Sequence, residues 1–115
     1  MPNYIICGEY SPGSWARMTR SADNRSEVVN RLMESAGGSL HHLWWQVSGR
    51  GVFAIVDLPD SASATAVNTV LAQSGAFKSS EIYEVLDQAQ LNGVLQMAQN
   101  IADVYKVPGA DALQG

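Results

Sequence analysis

Two adjacent histidines, His41 and His42, stand in the stretch Leu40-His41-His42-Leu43-Trp44-Trp45-Gln46-Val47. An imidazole exchanges a proton near neutral pH, and a carboxylate beside it orients and polarises it, which suits a general base. The carboxylate on offer is Asp57, at the end of the next apolar run. If a hairpin pairs Val47 with Val52, His42 lies opposite Asp57. One face of that ribbon then carries His42, Trp44, Gln46, Phe53, Ile55 and Asp57, because alternate residues of a strand share a face. Aromatic rings with a single amide suit a planar, mostly apolar ligand. The other face carries His41, Leu43, Trp45, Val47, Val52, Ala54 and Val56 and reads as core. A register change of one residue exchanges the faces and puts His41 in the place of His42. The same residues also have a plainer reading, with His42 on a solvated edge strand and Asp57 serving the turn before Pro59.

Further candidates lie elsewhere. The first strand has Cys7 and Glu9 on one face and Tyr4, Ile6, Gly8 and Tyr10 on the other. Glu9 is a possible acid or base, or simply a solvated carboxylate. Tyr10 and Trp15 extend the aromatic set, Trp15 as a lid or as packing at the start of a helix. Gly8 marks a bulge or a close approach. Arg50, at the hairpin tip, can grip a carboxylate ligand or a partner subunit. Glu81 and Tyr83 are weaker candidates of the same kind. Cys7 reads as a small buried apolar residue, since nothing near it in sequence would stabilise a thiolate.

The elements that must position these residues follow from pattern. A strand is expected from Tyr4 to Tyr10, then a helical region from about 14 to 36 with a kink or break between Ser21 and Ser26. Gly37-Gly38 ends it. Strands are expected at 39–47 and 52–58, joined by Ser48-Gly49-Arg50-Gly51. Pro59 follows, with Asp60 or Ser61 capping a helix that carries Ala64, Val67, Val70 and Leu71 and ends at Gly75. A fourth strand occupies 77–86. Asp87 and Gln90 form a capping box for a last helix at about 87–105. This is an α+β, ferredoxin-like β-α-β-β-α-β order with an extra C-terminal helix. The expected strand order is 4-1-3-2, which separates Glu9 from a histidine of the second strand by roughly 10 Å, two strand spacings. Residues 1–106 read as one domain and 107–115 as a flexible tail.

A chain of 115 residues with 46% hydrophobic and only 16% charged residues has a core and apolar surface to spare. Two helices cover one face of a four-stranded sheet, so the other face needs a cover. A second copy packed face to face under twofold symmetry supplies one; the last helix could instead cover part of that face or clasp the partner. The net charge of −4 and the acidic residues interspersed among Arg17, Arg20, Arg25 and Arg31 give no basic stripe, so nucleic acid is not expected as a partner. No apolar run approaches a membrane span and no signal peptide is read, so neither a membrane nor export is expected. The single cysteine rules out an internal disulfide, and the default location is the reducing cytoplasm. No metal is expected, because His41 and His42 point to opposite faces. No cofactor is expected either: a haem with a histidine axial ligand has no further signature here, and phosphate-loop, dinucleotide and nucleophile-elbow motifs are absent.

Tyr4-Ile5-Ile6 with Gly8 and Tyr10, the Gly37-Gly38 stop, and Trp44-Trp45 before a hairpin together resemble the GYD-domain proteins. So do Ile55-Val56-Asp57-Leu58-Pro59-Asp60, Ser63-Ala64, Ser74-Gly75-Ala76, and the late Tyr105 and Pro108-Gly109. The resemblance spans nearly the whole chain and implies a dimeric α/β barrel, with little about activity. Aligned without gaps, the family's Gly-x-Tyr-Asp hairpin falls on Ser48, Gly49, Arg50 and Gly51, where Arg replaces Tyr and Gly replaces Asp. The expected function is a homodimeric small-molecule binder with an aromatic-lined cavity. The alternative is a cofactor-independent isomerase, cyclase or oxygenase that uses a second-strand histidine as base on an aromatic or polyketide-like substrate. A haem-binding variant with His41 or His42 as axial ligand is a third possibility, disfavoured by the absence of any further haem signature, and a purely structural or regulatory interaction protein is the fourth.

Overall fold

The computed structural model describes residues 1–109. Residues Met1–Val85 form one compact unit, and a second unit spans Leu86–Gly115. The first opens with strand β1 (Asn3–Tyr10). Pro12 at the first helical position and the Ser11 side chain, which accepts from the Ser14 amide, then start helix α1 (Pro12–Arg20). The helical region breaks at Ser21–Asn24, within the window the polar residues marked. Asn24 caps a new helix, α2 (Arg25–Ser35), by accepting from the Glu27 amide at 3.1 Å. The end of α2 is a Schellman turn: the Gly38 amide donates to the Met33 carbonyl at 2.9 Å and the Gly37 amide to Glu34 at 3.0 Å, with Gly37 at φ +89°.

Strands β2 (Ser39–Trp45) and β3 (Gly51–Asp57) pair antiparallel. Pro59 follows β3, and Asp60 starts α3 (Ser61–Gln73) by accepting from the Ser63 amide at 2.8 Å. Strand β4 (Phe77–Val85) completes a sheet in the order β2-β3-β1-β4. That is the expected order, and every pair in it is antiparallel.

One face of the sheet meets the helices. Tyr4, Ile6, Val56, Ala54, Met33, Leu58, Ala64 and Val67 are buried together there. Strand residues alternate between that core and the other face, as the period of two requires. Gly8 sits in β1 where the ring of Phe77 lies against it; a Cβ there would come within 2.9 Å of the ring. The bulge on this strand comes one step later, between Glu9 and Tyr10.

The hairpin differs from expectation in two ways. Trp45, rather than Val47, pairs with Val52. Gln46 extends the pairing, its amide donating to the Gly51 carbonyl at 2.8 Å and its side chain accepting from the Gly51 amide at 3.2 Å. The loop is therefore 47–50, and Val47 stands 89% exposed rather than in the core. A shift of two residues preserves the faces. A bulge between Leu40 and His42 then makes His41 an extra residue, so His42 faces Ile55 while Leu40 faces Val56 and Ser39 faces Asp57. The expected placing of His42 opposite Asp57 and of His41 in the core is thereby corrected. Trp45, though opposite Val52, is also exposed.

In the second unit, Asp87 and Gln90 form the expected reciprocal capping box at the start of α4 (Gln88–Ile101). The α-helix ends at Ile101, earlier than the apolar stripe suggested, and Ala102–Val104 continue as one 3-10 turn. Most of the tail expected at 107–115 lies outside the described residues. Among the described residues, no helix is long and apolar enough to cross a membrane.

Candidate functional site

The face of the sheet away from the helices gathers residues from all four strands. His42 and Trp44 come from β2, and Phe53, Ile55 and Asp57 from β3. Asn3, Ile5, Cys7 and Glu9 come from β1, and Ser79, Glu81, Tyr83 and Val85 from β4, each opposite its partner in the ladder. Trp44 is 56% exposed, Tyr83 50% and Phe53 40%. His42 and Trp44, two residues apart on one strand, stack their rings with centroids 4.8 Å apart and planes inclined by 16°. Phe53 pairs with Trp44 across the ladder. The result is an aromatic platform running from the edge of the sheet towards its middle.

Beside the platform lies an open hollow of about 310 Å³ walled by Cys7, Glu9, Gln46, Phe53, Ser79 and Glu81. Arg50 fixes one rim. Its Nε donates to the Tyr10 carbonyl at 3.1 Å, and its Nη2 lies 3.4 Å from the Glu9 carboxylate. This hairpin-tip arginine is thus half-buried and fastened to the end of β1. Tyr83 donates its hydroxyl to Glu81, and the neighbouring carboxylate raises the phenol's pKa above its ordinary value.

A second cluster sits at the far end of β2. Asp57 Oδ1 accepts from the Ser39 amide at 2.8 Å and from the Ser39 hydroxyl at 2.9 Å. Its Oδ2 lies 3.1 Å from His41 Nε2. Partial burial pulls the Asp57 carboxyl upward, but the hydrogen bonds from Ser39 and His41 together hold it below the ordinary carboxylate value. The bulge swings His41 onto the side of Asp57, so the His–Asp pair foreseen in the sequence exists with the other histidine. Asn30 of α2 steadies the same stretch by accepting from the Leu40 amide at 3.1 Å.

The structure therefore divides the candidate residues. Glu9, Gln46 and Phe53 wall one hollow, Arg50 holds its rim, and His42 and Trp44 stack next to it. His41 and Asp57 form a separate pair. Tyr10 and Trp15 lie on the helix side, where Tyr10 stacks on Phe77 at 4.9 Å and meets Trp15 at 6.0 Å. Ser39 was missed; its signal was only its place across the ladder from Asp57. Cys7 and Ser79 were not foreseen as walls of the hollow, although the alternation of β1 and β4 places them on that face. Among the described residues there is no group of three or more His, Cys, Asp or Glu able to hold a metal ion.

Compared with known families, residues 4–95 match the model of the GYD domain. No curated protein matches the chain. Among solved structures, the chain is similar to the C-terminal domain of the MgtC protein from Mycobacterium tuberculosis. That likeness has a TM-score of 0.54 at 11% identity and covers 74% of this chain and 88% of that one. It is also similar to protein Atu4242 from Agrobacterium tumefaciens, with a TM-score of 0.46 at 9% identity over 75% of this chain and 92% of that one. At such identities the first likeness concerns the fold alone.

Proposed function

The chain belongs to the GYD-domain family, and from that premise we propose that it binds a small molecule as a homodimer. Two copies pack their open sheet faces together as a dimeric α/β barrel, in a reducing cytoplasmic setting that suits the free Cys7. The ligand is planar and mostly apolar. It lies on the His42–Trp44 stack and against Phe53, with the Gln46 amide and the Glu9 carboxylate meeting its polar edge. The observation that carries this reading is the set of exposed rings Trp44, Phe53 and Tyr83, on three of the four strands, beside the hollow. Large apolar patches of this kind mark interaction surfaces. Covering one such ring contributes about 1.5–3 kcal/mol.

Titration of isotope-labelled protein with 1-naphthol, a planar and largely apolar probe, tests the ligand. Saturable shifts are expected at the amides of Cys7, Trp44 and Phe53, and Phe53→Ala should weaken binding about tenfold, the worth of roughly 1.4 kcal/mol. Shifts confined to the helix side of the sheet would contradict the reading.

A second reading, a cofactor-independent isomerase, cyclase or oxygenase, is favoured by one observation: the contact between His41 Nε2 and Asp57 Oδ2. An imidazole so oriented can accept a proton from a substrate lying over the edge of the sheet. On this reading His41→Ala abolishes turnover while the dimer persists, and His42→Ala mainly weakens binding. In a binding protein both substitutions change affinity alone.

A further inference from the structure

We propose that the helix side of the sheet holds a second site, a cleft that takes a small carboxylate with a short apolar body, gripped by Arg25 and Arg17. A cleft of about 310 Å³ opens where α1 gives way to α2, walled by Tyr10, Ser14, Arg17, Asp23 and Arg25, with Ala76 beside it. Behind it a narrow gap of about 40 Å³ runs between helices and sheet, lined by apolar side chains that include Val29, Met33, Leu43, Leu71 and Phe77. Tyr10 and Arg25 wall both spaces, so they adjoin. The mouth is polar and cationic, and the interior is greasy and small.

The charges of the mouth are unbalanced. Two guanidinium groups face one carboxylate, Asp23, which takes only Nη1 of Arg25, at 3.0 Å. Arg17 donates to the Ser14 hydroxyl at 3.0 Å and has no acidic partner among the described residues. The Nε of Arg25 is buried with no acceptor at all, which no other buried side-chain nitrogen or oxygen among the described residues shares. Buried donors are normally satisfied, and the exceptions point to a missing partner. The Nε side of a guanidinium, free while Nη1 is occupied, is the edge that receives a carboxylate in two-pronged fashion. Binding at that edge requires the Arg25 side chain to turn it toward the mouth.

Size limits the apolar part. The gap has room for little more than one water's share of volume, about 30 Å³, so the end of a short chain enters it and the rest lies along Tyr10. A long acyl chain does not fit.

The probes are hexanoate and its neutral counterpart hexanol, titrated separately into isotope-labelled protein. Hexanoate should give saturable shifts at the amides of Ser14, Arg17, Arg25 and Ala76 while those of Cys7 and Phe53 on the opposite face stay still. Hexanol should bind at least tenfold more weakly. Arg25→Met should remove that preference, lowering hexanoate affinity about tenfold and leaving hexanol unchanged. Arg17→Gln alters an exposed side chain and should weaken hexanoate severalfold even if the Arg25 variant fails to fold. Equal affinity for the two probes, shifts confined to the opposite face, or hexanoate binding indifferent to Arg17→Gln would overturn the proposal.

Discussion

Asp57 concentrates three interactions on one side chain, two from Ser39 and one from His41. They favour its ionised form, so its pKa is lowered in the folded chain. A carboxyl with a depressed folded pKa stabilises the fold above its unfolded value, about 3.9. That contribution is lost as pH falls through the lower folded value. Asp57→Asn should therefore cost about 1–3 kcal/mol near pH 7, the penalty of disrupting a partly buried hydrogen-bonded group. Urea unfolding followed from pH 7 down to 2 should show the two proteins converging at the acid end. A constant gap across that range would show that the charge of Asp57 contributes nothing. In the core, Met33 is fully buried, and Met33→Ala should cost about 2–5 kcal/mol in the same assay.

The turn from α2 into β2 carries the tightest constraint among the elements. A Cβ on Gly38 would lie 1.9 Å from the Asp57 carbonyl oxygen, a backbone atom that moves only if the β2–β3 ladder moves. Gly38→Ala should cost about 3 kcal/mol or more, the upper range for one substitution. Gly37→Ala, strained by its positive φ and by a Cβ 3.0 Å from the Pro59 ring, a side chain that can give where the Asp57 backbone cannot, should cost about 1–2 kcal/mol. Equal costs in urea unfolding would contradict the assigned packing. At this scale much was legible beforehand. The Gly37-Gly38 stop, the Asp60 cap and the Asp87–Gln90 box are local chemistry, readable from neighbours in sequence. The bulge at His41 was not, because it depends on how β2 meets β3 and on Asn30 and Asp57 reaching in from other elements. Gln46 hid the true loop in the same way, by pairing with Gly51 where the glycines suggested a turn one residue later, at 48–51. The open face was foreseen through Trp44, Phe53 and Glu9, since a register shift of two leaves faces unchanged. The partner of Asp57, the pairing of Val47 with Val52 and the burial of His41, Trp45 and Val47 were misassigned.

For the molecule as a whole, the unresolved imbalance is apolar area. Helices α2 and α3 satisfy one side of the sheet, and Trp44, Phe53 and Tyr83 remain exposed on the other. Family membership was legible because the matching residues recur along the chain in order. The role of the open face was not, because no sequence pattern states what covers a surface. The direct test is native mass spectrometry of the wild-type chain and of Phe53→Glu, which places a charge in the middle of the proposed interface. The account predicts twice the chain mass for the wild type at micromolar concentration and a single chain for the variant, with folding intact by circular dichroism. A wild-type protein that stays a single chain at every concentration would contradict it.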